Sequence, residues 1–315
     1  MARQVLPTDD TPPSADPPAL RDLVVSSRLG LACMCGYLLA TLTRSNLAND
    51  LIVLGIVVVV PIGLELLDAP GIDLLRRAWP VGAAAGAIAL ALPTGRFAAA
   101  IAGSYVAVTV GAGLCALALL LRRRSVAPDR VAAVAALGYL PVSGLALIAD
   151  RLHATPLGYS HEIVKLTVAH FLFAGFAASL LSGLTARQIR NRASSLACYG
   201  AIIAPALVGA TFSAGPRVQL LGVVPLTVSL VTLAVLTLSR VDLVPPERGA
   251  RWFLRASSLS VVAPMLLALD WTLGLASGVP HLSLEQMEAT HGVLNAVGYA
   301  LCGVIAWRLG SRRRL

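Results

Sequence analysis

Long apolar runs recur along this chain, and they constrain its fold more than any other feature. A helix of roughly 20 apolar residues crosses the hydrocarbon core of a bilayer and satisfies its backbone polar groups internally. Ten such runs occur, at 24–43, 51–67, 79–94, 97–121, 131–149, 162–184, 194–213, 218–239, 256–277 and 286–307. The sequence therefore predicts an all-α, polytopic membrane helix bundle of about ten transmembrane helices.

The composition agrees with membrane insertion. Of the 315 residues, 57% are hydrophobic and only 13% are charged, with a mean hydropathy of +0.79. Soluble domains carry about 25% charged residues. The cysteines fall in apolar runs without any CxxC spacing, which argues against a disulfide framework or a zinc ribbon. They are Cys33, Cys35, Cys115, Cys198 and Cys302.

The arginines predict the orientation, because cytoplasmic loops collect Lys and Arg. If the N-terminus lies inside, only Arg44, Arg96, Arg151 and Arg217 fall in outside loops, and all other arginines fall in inner segments. Both termini are therefore expected to be cytoplasmic. The same distribution explains the net charge of +9, since the basic residues are spread over the inner segments. We expect attraction to anionic membrane lipid and no nucleic-acid partner.

The two ends of the chain differ from the part between them. Residues 1–22 are rich in Pro and Asp and are predicted to form a disordered cytoplasmic tail. No signal-peptide pattern precedes the first apolar run, so we expect no cleaved leader. Residues 23–308 form the predicted transmembrane domain, and 309–315 a basic cytoplasmic tail.

Ionisable residues inside spans are rare and indicate function by default. The sixth span opens with the segment HEIVKLTVAH, which holds Glu162, the only lysine of the chain (Lys165) and His170. Glu162 and Lys165 are spaced i,i+3 and can pair on the helix surface. The earlier spans are nearly free of charge. Asp50 and Asp150 are expected to be solvated at the outer helix ends, and Glu65 to lie near Arg76 or Arg77 at the inner face.

The last two spans add a second polar set. The ninth span carries Asp270, in its outer half and after Pro264. The tenth span carries a polar stripe at spacings of 3, 4, 4 and 3 residues, made of Glu288, His291, Asn295, Tyr299 and Cys302. Such a stripe must face protein or water. We expect this stripe and Asp270 to share one pocket with the polar residues of the sixth span, opening toward the outer leaflet or the outer face. The alternative is a set of buried ion pairs, Lys165 with Glu162 and His291 with Asp270, that only fixes helix register.

Known catalytic motifs are missing from the chain. HEIVK begins like a zinc-protease HExxH motif, but Lys165 stands where the second histidine belongs, and its charge would repel a metal. No GxSxG, GxGxxG or Walker pattern occurs. We expect no metal and no cofactor. A metal held by His161, His170 and His291 is the less favoured alternative.

The remaining chemistry is acid–base catalysis by carboxylates, histidines and a lysine. We predict a cofactor-independent membrane enzyme that isomerises, cyclises or opens an epoxide of a lipophilic small molecule. The predicted catalytic residues are Glu162, Lys165, His170, Asp270, Glu288 and His291, and the predicted substrate-binding residues are Asn295, Tyr299, Phe171 and Trp271. Lys165 would supply a fixed positive charge, unless it only snorkels to the interface. The alternative function is a proton-coupled transporter, although the two halves of the chain share no motif.

Two stretches resemble a known family. LTVAHFLFAGFAA (166–178) and MEATHGVLNAVGY (287–299) resemble segments of the YndJ-type bacterial membrane proteins. The likeness covers roughly residues 150–308, and its matching positions include His170, Gly175, His291 and Asn295. The resemblance implies a multi-pass protein of the bacterial inner (cytoplasmic) membrane, and it implies no mechanism. Lys165 is not part of the family pattern.

Overall fold

The computed structural model describes residues 46–122, 126–240 and 248–311. Within these ranges the chain forms nine helices, each antiparallel to the next, and no strand. They are α1 Leu47–Glu65, α2 Ile72–Ala91, α3 Arg96–Arg122, α4 Pro128–Arg151, α5 His161–Ile189, α6 Arg192–Thr211, α7 Pro216–Ser239, α8 Arg248–Ser277 and α9 Leu284–Ser311. α8 is interrupted by a turn at Val261, three residues before Pro264.

Eight helices of the described part are long and apolar enough to cross a membrane, which confirms the predicted polytopic helix bundle. α2 lies outside this set, because it begins at Ile72 rather than 79 and its first turns carry Asp73, Arg76 and Arg77. The predicted span 24–43 lies outside the described residues. The count of ten spans and the cytoplasmic termini therefore stay predictions.

Polar caps and glycines set where the helices begin and end. At the start of α6, the Asn191 side chain accepts from the Ser194 backbone N–H at 2.7 Å, and the Ser194 hydroxyl accepts from the Asn191 N–H at 3.3 Å. Ser283 and Gln286 form the same reciprocal cap at the start of α9. Such caps satisfy N–H groups that have no partner within the helix. Gly278 follows α8 with a φ of 74°, the left-handed conformation that ends many helices.

α1 and α5 lie at the centre of the bundle. In the most apolar 18-residue stretch of each helix, 67% of the residues are buried in α1 and 61% in α5, against 28% in α3 and in α8. The two central helices approach closely at Gly63, where an added Cβ would lie 2.6 Å from the ring of Phe176. Phe176 is fully buried. A small residue at this crossing lets the helix backbones come together, as is common between transmembrane helices.

The end of the bundle where α1 finishes and α2 begins is here called the arginine-rich end. There the Glu65 carboxylate pairs with Arg308 of α9, with Nε and Oε2 2.6 Å apart. The sequence placed Glu65 near Arg76 or Arg77. Arg76 does lie close by, with Nη2 3.4 Å from the Glu65 backbone carbonyl, but it donates more closely to the carbonyls of Leu64 at 2.9 Å and Leu67 at 2.7 Å, in and just after the last turn of α1.

At the opposite end, the expectation that Asp150 is solvated is wrong: its side chain has no exposed surface. Arg151 Nε donates to Asp150 Oδ2 at 2.8 Å, and Arg151 Nη1 donates to the carbonyls of Ala89 at 3.2 Å and Leu92 at 3.3 Å. His161 of α5 covers the other side, with Nε2 3.4 Å from Asp150 Oδ1. The arginine thus turns inward and closes the C-terminus of α2.

Three helices contain π-helical segments, and those of α1 and α5 and the second one of α9 contact one another. They are Gly55–Val59 in α1, Phe171–Ala177 in α5, and Glu288–Gly292 with Leu294–Leu301 in α9. The α5 segment follows His170 directly, and the α9 segments contain His291 and Asn295. Wide helical turns are uncommon and occur often at functional sites, because they re-aim side chains and free backbone groups.

Candidate functional site

A cavity of about 660 Å³ lies among α4 to α9 and the first turn of α1, in the half of the bundle away from the arginine-rich end. Most of its lining is aliphatic or aromatic. Its polar lining residues are Tyr159, Thr167, His170, Gln219, Thr227, Thr272, Glu288, His291, Asn295 and Tyr299. A large apolar cavity with a few convergent polar groups is the usual form of a small-molecule site.

His170 ends the α-helical first part of α5 and lines the cavity. Its Nε2 lies 3.0 Å from the carbonyl oxygen of Pro205 in α6. A carbonyl can only accept, so Nε2 carries the proton and Nδ1 of the neutral ring is a base. The ring packs edge-on against Phe171, with centroids 5.1 Å apart, and Phe171 packs against Tyr139. These contacts fix the orientation of the imidazole.

His291 of α9 is held in the opposite tautomer. Its Nδ1 donates to the carbonyl oxygen of Pro264 in α8 at 2.7 Å. Its Nε2 therefore has a free lone pair, which accepts from the side-chain amide of Asn295 at 3.0 Å. His291 and Asn295 both line the cavity. An imidazole whose tautomer is fixed by one carbonyl and whose second nitrogen faces a neutral donor can exchange a proton with a bound molecule.

The two histidines belong to one site, since both line the same cavity. Each imidazole donates to the carbonyl of a proline inside a neighbouring helix, Pro205 or Pro264. The predicted alternative, a His291–Asp270 ion pair, is not formed. Asp270 is exposed on the far side of α8 and does not line the cavity.

Glu288 is half-buried and lines the cavity one helical turn before His291. Within the described ranges no ion pair joins Glu162 to Lys165, and neither residue lines the cavity: Glu162 is exposed and Lys165 half-buried. Glu288 lies near the start of α9 and Lys165 near the start of α5, so one anionic and one cationic residue lie toward the end of the cavity that is away from the arginine-rich end, here called the charged entrance.

Aromatic residues form part of the cavity wall. The predicted binding residues Phe171, Trp271 and Tyr299 line the cavity together with Asn295. Trp271 stacks on Phe212, with centroids 6.4 Å apart. This wall connects α5, α8 and α9 to the end of α6.

Sequence reasoning missed several polar residues of the cavity. Gln219 is 5% exposed, and Thr227 donates to the carbonyl of Met265 at 3.3 Å. Both lie in α7, a span with no charged residue in its interior. A glutamine in such a span is itself a signal, because its amide must find a partner there. The roles of the Pro205 and Pro264 carbonyls have no sequence signal.

The described residues contain no group of three or more His, Cys, Asp or Glu side chains that could hold a metal ion. His161 faces Asp150 and stacks on His153, with centroids 3.9 Å apart, so it lies apart from the cavity. The arrangement that the structure offers is therefore proton exchange at His170 and His291, inside an apolar cavity with a charged entrance.

Comparison with known proteins agrees with the resemblance seen at the two polar stretches. The chain is 24% identical over 289 residues to the uncharacterized membrane protein YndJ of Bacillus subtilis (strain 168), which covers 88% of this chain and 51% of the relative. The chain thus spans about half the length of that relative. No solved structure matches. The family model of YndJ-like proteins matches residues 50–299, which include every lining residue of the cavity except Ala48. The chain therefore belongs to the YndJ-like family.

Proposed function

We propose that the protein is a membrane enzyme that binds a lipophilic small molecule in the cavity and moves a proton on it with His291 and His170. The observation that carries this proposal is the fixed tautomer of His291. Its Nδ1 donates to Pro264, which leaves Nε2 as a base beside Asn295 in an apolar cavity. A base in such surroundings needs no water to act on an apolar molecule.

The chemistry that fits this site is a rearrangement with no co-reactant. A substrate hydroxyl or acidic C–H would compete with the Asn295 amide for Nε2 of His291, which takes the proton. The Asn295 side chain would then be free to bind the oxygen that gains negative charge. The imidazolium formed at His291 would return that proton to another atom of the same molecule, directly or through Nδ1 of His170 as a relay, so both histidines end as they began. This transfer balances an isomerisation or a cyclisation, and return of the proton to an epoxide oxygen after the C–H bond breaks would open the ring to an unsaturated alcohol.

The charged entrance has a separate role in this proposal. Lys165 would attract an anionic end of the substrate, and Glu288 would accept a hydrogen bond from a polar headgroup, which leaves the apolar part of the molecule in the cavity. Glu162 is exposed and would act only through the field at the entrance. Asp270 has no role in this proposal, because it lies outside the cavity.

A second function, proton-coupled transport, is favoured by Tyr299. This residue lines the cavity and also a small pocket of about 20 Å³ toward the arginine-rich end, which is lined by hydroxyl side chains such as Ser182, Thr185 and Ser257. That volume is enough for about one water molecule. A hydroxyl-lined continuation would let a proton leave the site on the side away from the entrance, which a transporter requires.

The test compares lipid extracts and medium from cells that express the native protein, His170→Asn, His291→Asn or no protein. A chemically altered lipophilic compound that disappears in both histidine variants supports the enzyme. The same compound merely redistributed between cells and medium supports transport. Extracts that do not differ between the native protein and both variants would overturn the proposed function.

His281→Asn is the matched control, because His281 is exposed and does not line the cavity. We expect it to behave as the native protein. A second variant, Ala146→Trp, places a large ring in the cavity wall and leaves both histidines in place. It should abolish the effect through loss of binding, so an unchanged product would contradict the assignment of the cavity as the binding site.

A further inference from the structure

A second concave site lies at the arginine-rich end, between the turn that joins α5 to α6 and the start of α4. It is an open cleft of about 720 Å³. Three arginines line it, Arg187, Arg190 and Arg192, together with Ser195 and Leu196. The cleft is separate from the cavity of the candidate functional site, since no residue lines both.

The local fold brings the three arginines together. Arg187 lies in the last turn of α5, and Arg190 adopts a left-handed conformation, with φ of 46°, that reverses the chain. Arg192 is the first residue of α6. The Arg190 Nε donates to the Arg187 carbonyl at 3.1 Å, which orients its guanidinium. All three side chains are exposed, and none of them forms an ion pair with a carboxylate of the described residues.

The charge of the cleft suits an anion with several oxygen atoms. Asp129 also lines it and offsets part of the positive charge, so an excess of guanidinium charge remains. Guanidinium groups bind phosphate oxygens in a bidentate geometry. Ser195 adds a hydroxyl to the same wall, although it donates to the Asn191 carbonyl at 3.1 Å.

An apolar stripe continues from the cleft along α6. Leu196, Ile203 and Leu207 are 71%, 56% and 38% exposed, and their spacing of seven and four residues places them on one helix face. At 1.5 Å per residue the stripe extends about 16 Å toward the middle of the bundle. A soluble phosphate would make no use of this stripe, whereas the acyl chains of a lipid would lie along it.

We propose that this cleft binds the phosphate headgroup of an anionic phospholipid, with the arginines around the phosphate and the acyl chains along Leu196, Ile203 and Leu207. Basic pockets between transmembrane helices bind anionic headgroups at the cytoplasmic side of other membrane proteins. The site does not depend on the proposed function of the cavity.

The test is a lipid titration of delipidated, detergent-purified protein, followed by native mass spectrometry with phosphatidylglycerol and, separately, with phosphatidylcholine. The variant Arg187→Gln/Arg190→Gln/Arg192→Gln should weaken phosphatidylglycerol binding roughly ten- to a hundred-fold. Its binding of phosphatidylcholine should change little. If it binds phosphatidylglycerol like the native protein, the proposal is wrong.

The matched control removes the same charge elsewhere on the arginine-rich end. Arg77, Arg240 and Arg248 are exposed and do not line the cleft. Arg77→Gln/Arg240→Gln/Arg248→Gln should keep the affinity for phosphatidylglycerol within about three-fold of that of the native protein, because dispersed surface charges are screened by salt. An equal loss in both triple variants would show diffuse attraction to the whole surface and would overturn the assignment of a site.

Two further experiments distinguish lipid binding from phosphate binding, and loss of the binding charge from loss of folding. Leu196→Ser should weaken phosphatidylglycerol binding, and millimolar inorganic phosphate should compete poorly. Efficient competition together with an unaffected Leu196→Ser variant would instead assign the cleft to soluble phosphate.

The variant with lysine at all three arginine positions keeps the charge and should regain part of the affinity. No recovery, with normal helix content and gel-filtration profile, would contradict an electrostatic site.

Discussion

The ion pair of Asp150 and Arg151 gives the sharpest test of how the end of the bundle opposite the arginine-rich end is held together. Asp150 has no exposed surface, and its carboxylate accepts from Arg151. The same guanidinium donates to the carbonyls of Ala89 and Leu92, at the C-terminus of α2. Arg151→Met removes all these donors and leaves a buried carboxylate whose other near neighbour is His161.

The expected cost follows from those contacts. Breaking one side of a buried ion pair costs about 3–5 kcal/mol, since the remaining charge stays buried without its partner. Replacing both partners by apolar residues of similar volume is often close to neutral. We therefore expect Arg151→Met to lower the free energy of unfolding by about 4 kcal/mol. The double variant Asp150→Leu/Arg151→Met should be less destabilised than this single variant by about 2 kcal/mol, because no buried charge remains.

The assay is equilibrium unfolding in mixed micelles with a rising fraction of denaturing detergent, followed by tryptophan fluorescence. Arg217→Met is the control, since Arg217 is an exposed arginine at the same end of the bundle. Surface substitutions of this kind change the free energy of unfolding by at most about 0.5 kcal/mol. If Arg151→Met were no worse than the control, or if the double variant were less stable than Arg151→Met, the reasoning about the buried pair would fail.

Three further predictions concern packing and topology. Gly222→Ala should destabilise the protein by about 1–3 kcal/mol, because the new Cβ would lie 2.5 Å from the backbone of α6. Gly138→Ala is the control: its new Cβ would have no atom within 4 Å, so the change should be neutral or slightly stabilising. Trp79→Phe should lower the free energy of unfolding by about 1–3 kcal/mol in the same assay, since the indole N–H donates to the buried carbonyl of Ile56 at 2.8 Å. An unchanged stability would contradict that role. A cysteine introduced in the loop 278–283 should react with an impermeant maleimide on intact cells, whereas labelling only after permeabilisation would reverse the predicted orientation.

Much of the fold was readable from the chain alone. Apolar runs long enough to span a bilayer can form only helices there, because every backbone polar group must be satisfied within its own segment. The helices that the structure describes lie at the predicted runs, with boundaries shifted by caps such as Asn191 and by the early start of α2 at Ile72. The sequence also shows which charged residues flank each apolar run, and so it predicted that arginines would gather at one end of the bundle.

The candidate site was only partly readable. Polar residues within apolar spans marked His170, His291 and Asn295, because lipid cannot satisfy them. The sequence also placed Asp270 with them, on the assumption that its side chain faces inward. α8 presents that position outward instead. One apolar helix gives too weak a pattern to fix its rotation, and its packing against α7 and α9 decided which face is buried.

What the sequence by itself determined about this protein is the set of helices, their apolar character and the list of polar side chains that need partners. Only the tertiary structure decided which partners they have. Pro205 and Pro264 hold the two histidines through backbone carbonyls, which carry no sequence signature. Glu65 pairs with Arg308 across most of the chain length, and Asp150 is buried because Arg151 turns inward. Such contacts depend on the rotation and depth of whole helices, and these are fixed by packing among all of them together.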